Sequence, residues 1–179
     1  MKKDEILNEK IKNALISTFK VISLKFNKDK LEDFDKKTTD FISQNKEIVV
    51  KNFDNLRAEF DTEALKQGFS DKTILKNNLP EKNTQITLYK IAEKIRCVII
   101  GMDMYFGINK NINKYYDNKI NLNNKLKIDT INDAPVSKAF ELYMIKNFLG
   151  VKLNSNSQKL LSYWESKFNN AIKKHNEYL

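Results

Sequence analysis

Apolar residues recur every three or four positions along most of the chain, the spacing of helices with one buried face. Ile11, Leu15, Phe19, Ile22 and Phe26 fall on one such face and predict a first helix from about Lys3 to Phe26. The chain from 27 to about 45 reads as loop, and its opening stretch, Asn27 to Lys37, is dense in charge. Lys46-Glu47-Ile48-Val49-Val50 is a β-branched run, so one short β element is expected near 46–51. Leu56, Phe60 and Ala64 mark a second helix closed by Gly68. Ser70-Asp71 then opens a short third helix that must end ahead of Pro80.

Leu88, Ala92, Ile95, Ile99, Met102 and Phe106 form the longest clean stripe and predict a fourth helix, capped by Thr84 and ended or bent at Gly107. Ile108, Ile112 and Tyr115 carry the helical spacing on to Tyr116. The Asn- and Lys-rich stretch over 118–132 reads as a second loop. Asp133-Ala134-Pro135 starts the next helix, with Ala139, Leu142, Tyr143 and Leu149 on its buried face and Gly150 as its stop. Ser155 or Ser157 opens a last helix through Leu160, Leu161, Trp164, Phe168 and Ile172. Phe19, Phe60, Leu88, Ile95, Ile99, Leu142 and Trp164 are the expected core.

These elements add up to an all-α fold: one helical domain over 1–179 with six or seven helices. Composition agrees. Four glycines and two prolines in 179 residues are too few for the turns of sandwiches, barrels or doubly wound sheets. With 41% apolar and 31% charged residues the chain is expected to fold rather than stay disordered. No apolar run approaches the ~20 residues that span a bilayer, and the opening Met1-Lys2-Lys3-Asp4-Glu5 turns acidic where a signal peptide turns apolar. One cysteine leaves no intramolecular disulfide or cysteine zinc site, and one histidine leaves no site needing two imidazoles. A soluble cytoplasmic protein is expected.

Charge changes the picture less than its size suggests. The formal net charge is +9, but of 32 basic residues only Arg57 and Arg96 are arginine. Phosphate and base-edge recognition favour the arginine fork, so solvated lysines on helix surfaces are the better reading and a nucleic-acid partner the less favoured one. Lys, Asn and Ile are abundant together, as an AT-rich coding bias produces. Cys97, beside Arg96 and followed by Val98 and Ile99, reads as a core filler rather than a nucleophile. His175 lies too near the end to act as a base. Asp61, Glu63 and Asp71 lack the spacing of an oxygen-ligand loop and read as surface acids. Phosphate-loop, nucleophile-elbow and His-Glu-x-x-His motifs are all missing, so the chain is not expected to be catalytic alone.

The two arginines carry more information. Arg57 stands four residues before Asp61, and Arg96 three after Glu93, so each has a carboxylate one helical turn away. Two readings stay open: surface pairs worth only ~0.3–0.5 kcal/mol each, or forks that tie the second helix to the fourth or meet a partner subunit. In the second reading Arg96 engages a carboxylate outside its own helix, with Asp61 the first choice.

Together these residues resemble the N-terminal helical region of the CobT family, the T subunit of the aerobic, ATP-dependent cobaltochelatase. The resemblance runs from Arg57-x-x-x-Asp61-x-x-Ala64-Leu65 through Asp71 to Pro80, and through Glu93-x-x-Arg96-x-x-x-Ile100-Gly101 to Gly107-Ile108-x-x-Asn111-Ile112. It resumes at Asp133-Ala134-Pro135, with Ala139, Leu142 and Gly150 in matching places, and reaches Tyr163-Trp164. Ser70 stands where the family usually has histidine, and Val98 where it usually has glutamate. The family continues through an acidic linker into a von Willebrand factor A-type domain with a Mg²⁺ site, which this sequence does not contain. The resemblance therefore implies a truncated subunit or a stand-alone relative. It implies partnership with an AAA+ ATPase and a large chelatase subunit that inserts cobalt into hydrogenobyrinic acid diamide. It also implies no cofactor in this chain: ATP, Mg²⁺ and cobalt would belong to the partners or the missing domain. Arg57, Asp61, Glu93, Arg96, Gly101, Gly107 and Asn111 are the candidate partner-binding or structural residues.

Overall fold

The structure, a computed structural model, describes residues 2–24, 53–122 and 127–176. Among these it is all-α, with eight α-helices, one 3₁₀ turn and no strand. The helices are α1 (Lys2–Leu24), α2 (Phe53–Phe69), α3 (Lys72–Asn77), α4 (Asn83–Met104), α5 (Phe106–Leu122), α6 (Val136–Phe148), α7 (Ser155–Ser162) and α8 (Glu165–Asn176). The 3₁₀ turn covers Ile131–Asp133. The β element expected near 46–51 and the loop expected over 27–45 lie outside the described residues.

The chain divides into two compact units, Met1–Lys72 with Ile100–Tyr115, and Thr73–Ile99 with Tyr116–Leu179. In the first, α1 packs along α2. The predicted stripe of α1 supplies Leu15, Phe19 and Ile22, and α2 answers with Leu56, Ala58, Phe60, Ala64 and Leu65, all buried. Phe19 meets Phe60 edge to face at 6.4 Å between ring centres, the arrangement that aligns a ring edge with a π face. Ile108 and Ile112 of α5 complete this core.

Gly101 belongs to the same packing. A Cβ there would lie 2.8 Å from Leu65 Cγ and closer still to both its methyls. Leu65 is fully buried and has nowhere to retreat. Gly68, expected to close the second helix, is inside it, and α2 runs on to Phe69. The break between α4 and α5 comes at Tyr105, two residues ahead of Gly107. The Tyr105 N–H still donates to Gly101 O at 2.9 Å, while its carbonyl accepts from both Ile108 and Asn109 and so starts the next helix.

In the second unit Ile95, Cys97 and Val98 of α4, Tyr116 and Ile120 of α5, and Ala139, Leu142, Tyr143 and Ile145 of α6 are buried with Leu160 and Leu161 of α7. Leu88, Ile99 and Trp164, expected in the core, are only half-buried, whereas Phe19, Phe60, Ile95 and Leu142 are buried as expected. The loop expected over 118–132 begins later, because α5 stays helical to Leu122, where Ile120 is still a core residue. Pro135 stands at the N-cap of α6 and not inside its first turn. Gly150 stops that helix as expected, at φ +67°, where a side chain would be strained.

The predicted last helix is two helices. Asn154 caps α7 by accepting from Ser157 N–H at 2.8 Å. The helix then yields at Tyr163-Trp164 because both rings are anchored elsewhere. Trp164 Nε1–H donates to Ala134 O at 2.8 Å, and the Tyr163 hydroxyl donates to Asp129 O at 2.9 Å. These anchors tighten the turn so that Trp164 N–H reaches Leu161 O, and α8 restarts at Glu165.

Alanine at the two α4–α5 glycines separates packing from helix propensity. Gly101→Ala should destabilise the chain by about 1–3 kcal/mol through overpacking against Leu65. Gly107→Ala meets no atom within 4 Å and should be neutral or stabilising by up to ~1 kcal/mol. Urea unfolding of both variants checks the contrast, and equal effects would remove the packing role of Gly101.

Candidate functional site

The sequence offers two arginine–carboxylate pairs of similar spacing, and folding treats them differently. Asp61 is 2% exposed, so it is a core residue and not the surface acid its sequence context suggests. The reason is position: Asp61 lies one residue past Phe60 and three before Ala64, on a face of α2 that turns toward α1 and α5. Arg57 Nε donates to both carboxylate oxygens, at 3.1 and 3.3 Å. Asn111 Nδ2, from α5, donates to Oδ2 at 2.9 Å. Arg57 NH2 goes on to Thr18 Oγ1 of α1 at 3.3 Å, and the Thr18 hydroxyl donates to Ala14 O at 3.0 Å. One buried carboxylate thus joins three helices through a connected set of donors.

Burial raises the Asp61 pKa above its ordinary value, and the Asn111 hydrogen bond and the Arg57 charge and hydrogen bond offset that only in part. With both oxygens already engaged, the group works as a clamp. Arg96, by contrast, is 48% exposed and closes its fork on Glu93 in its own helix, with two bonds of 2.8 Å. That bidentate bond holds the guanidinium pKa above its usual value. Cys97 Sγ is buried beside the pair, 3.7 Å from Arg96 NH2 and 3.8 Å from Glu93 Oε1. The Asp61 oxygens are taken up by Arg57 and Asn111, and the Arg96 fork closes on Glu93.

The candidate residues therefore sort into a three-helix clamp (Arg57, Asp61, Asn111), a helix-surface fork (Glu93, Arg96), a close-packing glycine (Gly101) and an exposed glycine (Gly107). Sequence reading missed Thr18, whose place in the network shows only once α1 lies against α2. It also missed Glu141 of α6, which accepts from Lys94 at 2.7 Å and from Lys119 at 3.0 and 3.1 Å. Burial raises the Glu141 pKa, but the two ammonium groups outweigh it, so the carboxyl titrates below its ordinary value. Three charges far apart in a lysine-rich chain give no sequence signal of meeting.

No group of three or more His, Cys, Asp or Glu side chains able to hold a metal ion occurs among the described residues. None of their helices is long and apolar enough to cross a membrane.

The profile of one protein family, described as cobalamin biosynthesis protein CobT, matches residues 7–179. The chain belongs to the CobT family. No protein of curated function and no solved structure matches it. Membership of the CobT family gives the chain a role in cobalamin biosynthesis.

Removing either acceptor should distinguish clamp from fork. Asp61→Ala strands the Arg57 and Asn111 donors and should cost about 3 kcal/mol or more, with Asp61→Asn intermediate. Arg96→Ala, at an exposed pair, should cost under ~1 kcal/mol. Denaturant titration reads both, and equal costs would remove the clamp.

The buried Asp61 and the half-buried Glu141 should also titrate in opposite senses. Glu141 has a folded pKa below 4.5, so its contribution to stability is present above pH 4.5 and fades as pH falls through the lowered value. Glu141→Gln should therefore destabilise most near neutrality and least in acid. Asp61 has a folded pKa above 3.8, so its ionisation weakens folding as pH rises through that window. Carboxyl NMR titration checks both directions, and shifts of the same sign would overturn the assignment.

Proposed function

We propose that the chain is a non-catalytic assembly subunit of an ATP-dependent cobaltochelatase, acting in the cytoplasm beside an AAA+ ATPase and a large chelatase subunit. The observation that carries this reading is the family match over residues 7–179. The fate of the motif residues supports it. Arg57, Asp61 and Asn111 spend their polar groups on one another, which suits a rigid scaffold better than a reacting centre. ATP and Mg²⁺ chemistry then belong to the partner subunits or to the family's von Willebrand factor A-type domain, and cobalt is the cargo of the complex.

The net charge of +9 favours one rival, a lysine-rich helical binder of nucleic acid. The two readings part in solution. Mixed with the ATPase and large subunits of the same organism, the chain should co-sediment in a complex that depends on ATP. On duplex DNA it should show little affinity at any ionic strength. Failure to associate with the ATPase, together with DNA affinity that falls steeply with salt, would replace the chelatase reading with the rival.

A further inference from the structure

The second unit carries a small open cleft that the clamp and the fork do not use. Tyr116 and Ile120 of α5, Leu142 and Ile145 of α6 and Leu160 of α7 form its apolar floor. Lys119, Lys138 and Glu141 form its polar edge. Its volume is about 50 Å³, against the roughly 10–15 Å³ that one water needs. It holds a few heavy atoms, such as one aliphatic side chain. Cofactor and drug-sized pockets run to about 300–1,000 Å³, so the cleft is far too small to enclose a nucleotide or a tetrapyrrole.

The edge has a definite sign. The single carboxylate, Glu141, is held by two ammonium groups, Lys94 at 2.7 Å and Lys119 at 3.0 Å. Lys138 lies one turn before Glu141 on α6, exposed, with no carboxylate partner among the described residues. Among the described residues that line the cleft, two lysines face one carboxylate. An apolar floor under a cationic edge complements a chain segment that carries an aliphatic residue between carboxylates. Nucleic acid fits less well, because it asks for a long basic track with exposed aromatic faces, and the cleft is lined by one ring, Tyr116, and two lysines.

We propose that this cleft is the anchor site for an acidic segment of a partner protein. One aliphatic side chain seats on Ile120, Leu142, Ile145 and Leu160, and flanking carboxylates meet Lys138 and Lys119. The proposal rests on the assembly reading only for the existence of a partner, and it adds where and by what chemistry that partner is held.

The test uses the full chain with labelled Ile, Leu and Val methyls and a short synthetic peptide of Asp and Glu around one central Leu. The methyls of Ile120, Leu142, Ile145 and Leu160 should shift on titration. Lys138→Glu should weaken binding about tenfold and Lys138→Gln less, with unchanged melting temperatures, while Lys138→Arg retains affinity. Replacing the peptide's leucine by serine should abolish the methyl shifts. Equal binding of the serine peptide, indifference to Lys138→Glu, or the same methyl shifts from a single-stranded oligonucleotide would each overturn the cleft. Failure of the ATPase to associate, with the peptide still bound, would defeat the assembly reading alone. An ATPase complex formed while the peptide fails to bind would defeat the cleft alone.

Discussion

A carboxylate in an apolar core is stable only if every oxygen lone pair it turns inward finds a donor, and the first unit is organised around meeting that demand at Asp61. The residue is 2% exposed, and its donors come from its own helix and from α5, with Arg57 reaching across to α1. Apolar burial would bring α1, α2 and α5 together in several registers. A charge that must meet both a guanidinium and an amide accepts far fewer. Packing follows from the same constraint. The close seat of Gly101 on Leu65 and the edge-to-face contact of Phe19 with Phe60 require α2 in the register that the carboxylate selects.

The second unit solves the same problem with less of its machinery buried. Glu141 is satisfied by two lysines from different helices, Lys94 and Lys119. Lysine is a flexible point charge and not a planar fork, so this centre holds its helices without fixing their orientation closely. Arg96, one of the two planar forks in the chain, is spent on Glu93 within a single helix. The two units thus differ in how strongly their polar contacts specify geometry. A surface meant to accommodate a partner is better built on the looser kind.

Much of this was legible in the chain because helical spacing is a local signal. The stripes through Leu15 and Phe19, through Leu56 and Phe60, and through Leu142 and Tyr143 all became buried faces. Arg57, Asp61 and Asn111 stood out through their resemblance to the CobT family, but nothing in their spacing said that they would bond to one another. Asp61 read as a surface acid because i,i+4 spacing says where two side chains meet and nothing about which way the pair faces. Chain breaks were misplaced for a similar reason. The turn at Tyr163-Trp164 is forced by hydrogen bonds to Ala134 and Asp129, some thirty positions away. The joint at Tyr105 sits where no glycine or proline marks it.

The clamp also has a kinetic meaning. The bond from Arg57 to Thr18 closes a span of 39 residues, and that from Asn111 to Asp61 a span of 50. Closing such spans costs chain entropy before any contact repays it. An isolated carboxylate gains nothing from entering a half-formed core, so these bonds close only once the three helices have already assembled. Their stabilisation then falls mainly on the unfolding barrier and leaves the folding rate nearly untouched. The hydrogen-bonded carboxyl acts as a latch: its bonds contribute little to the speed with which the helices find one another and much to how long they stay together.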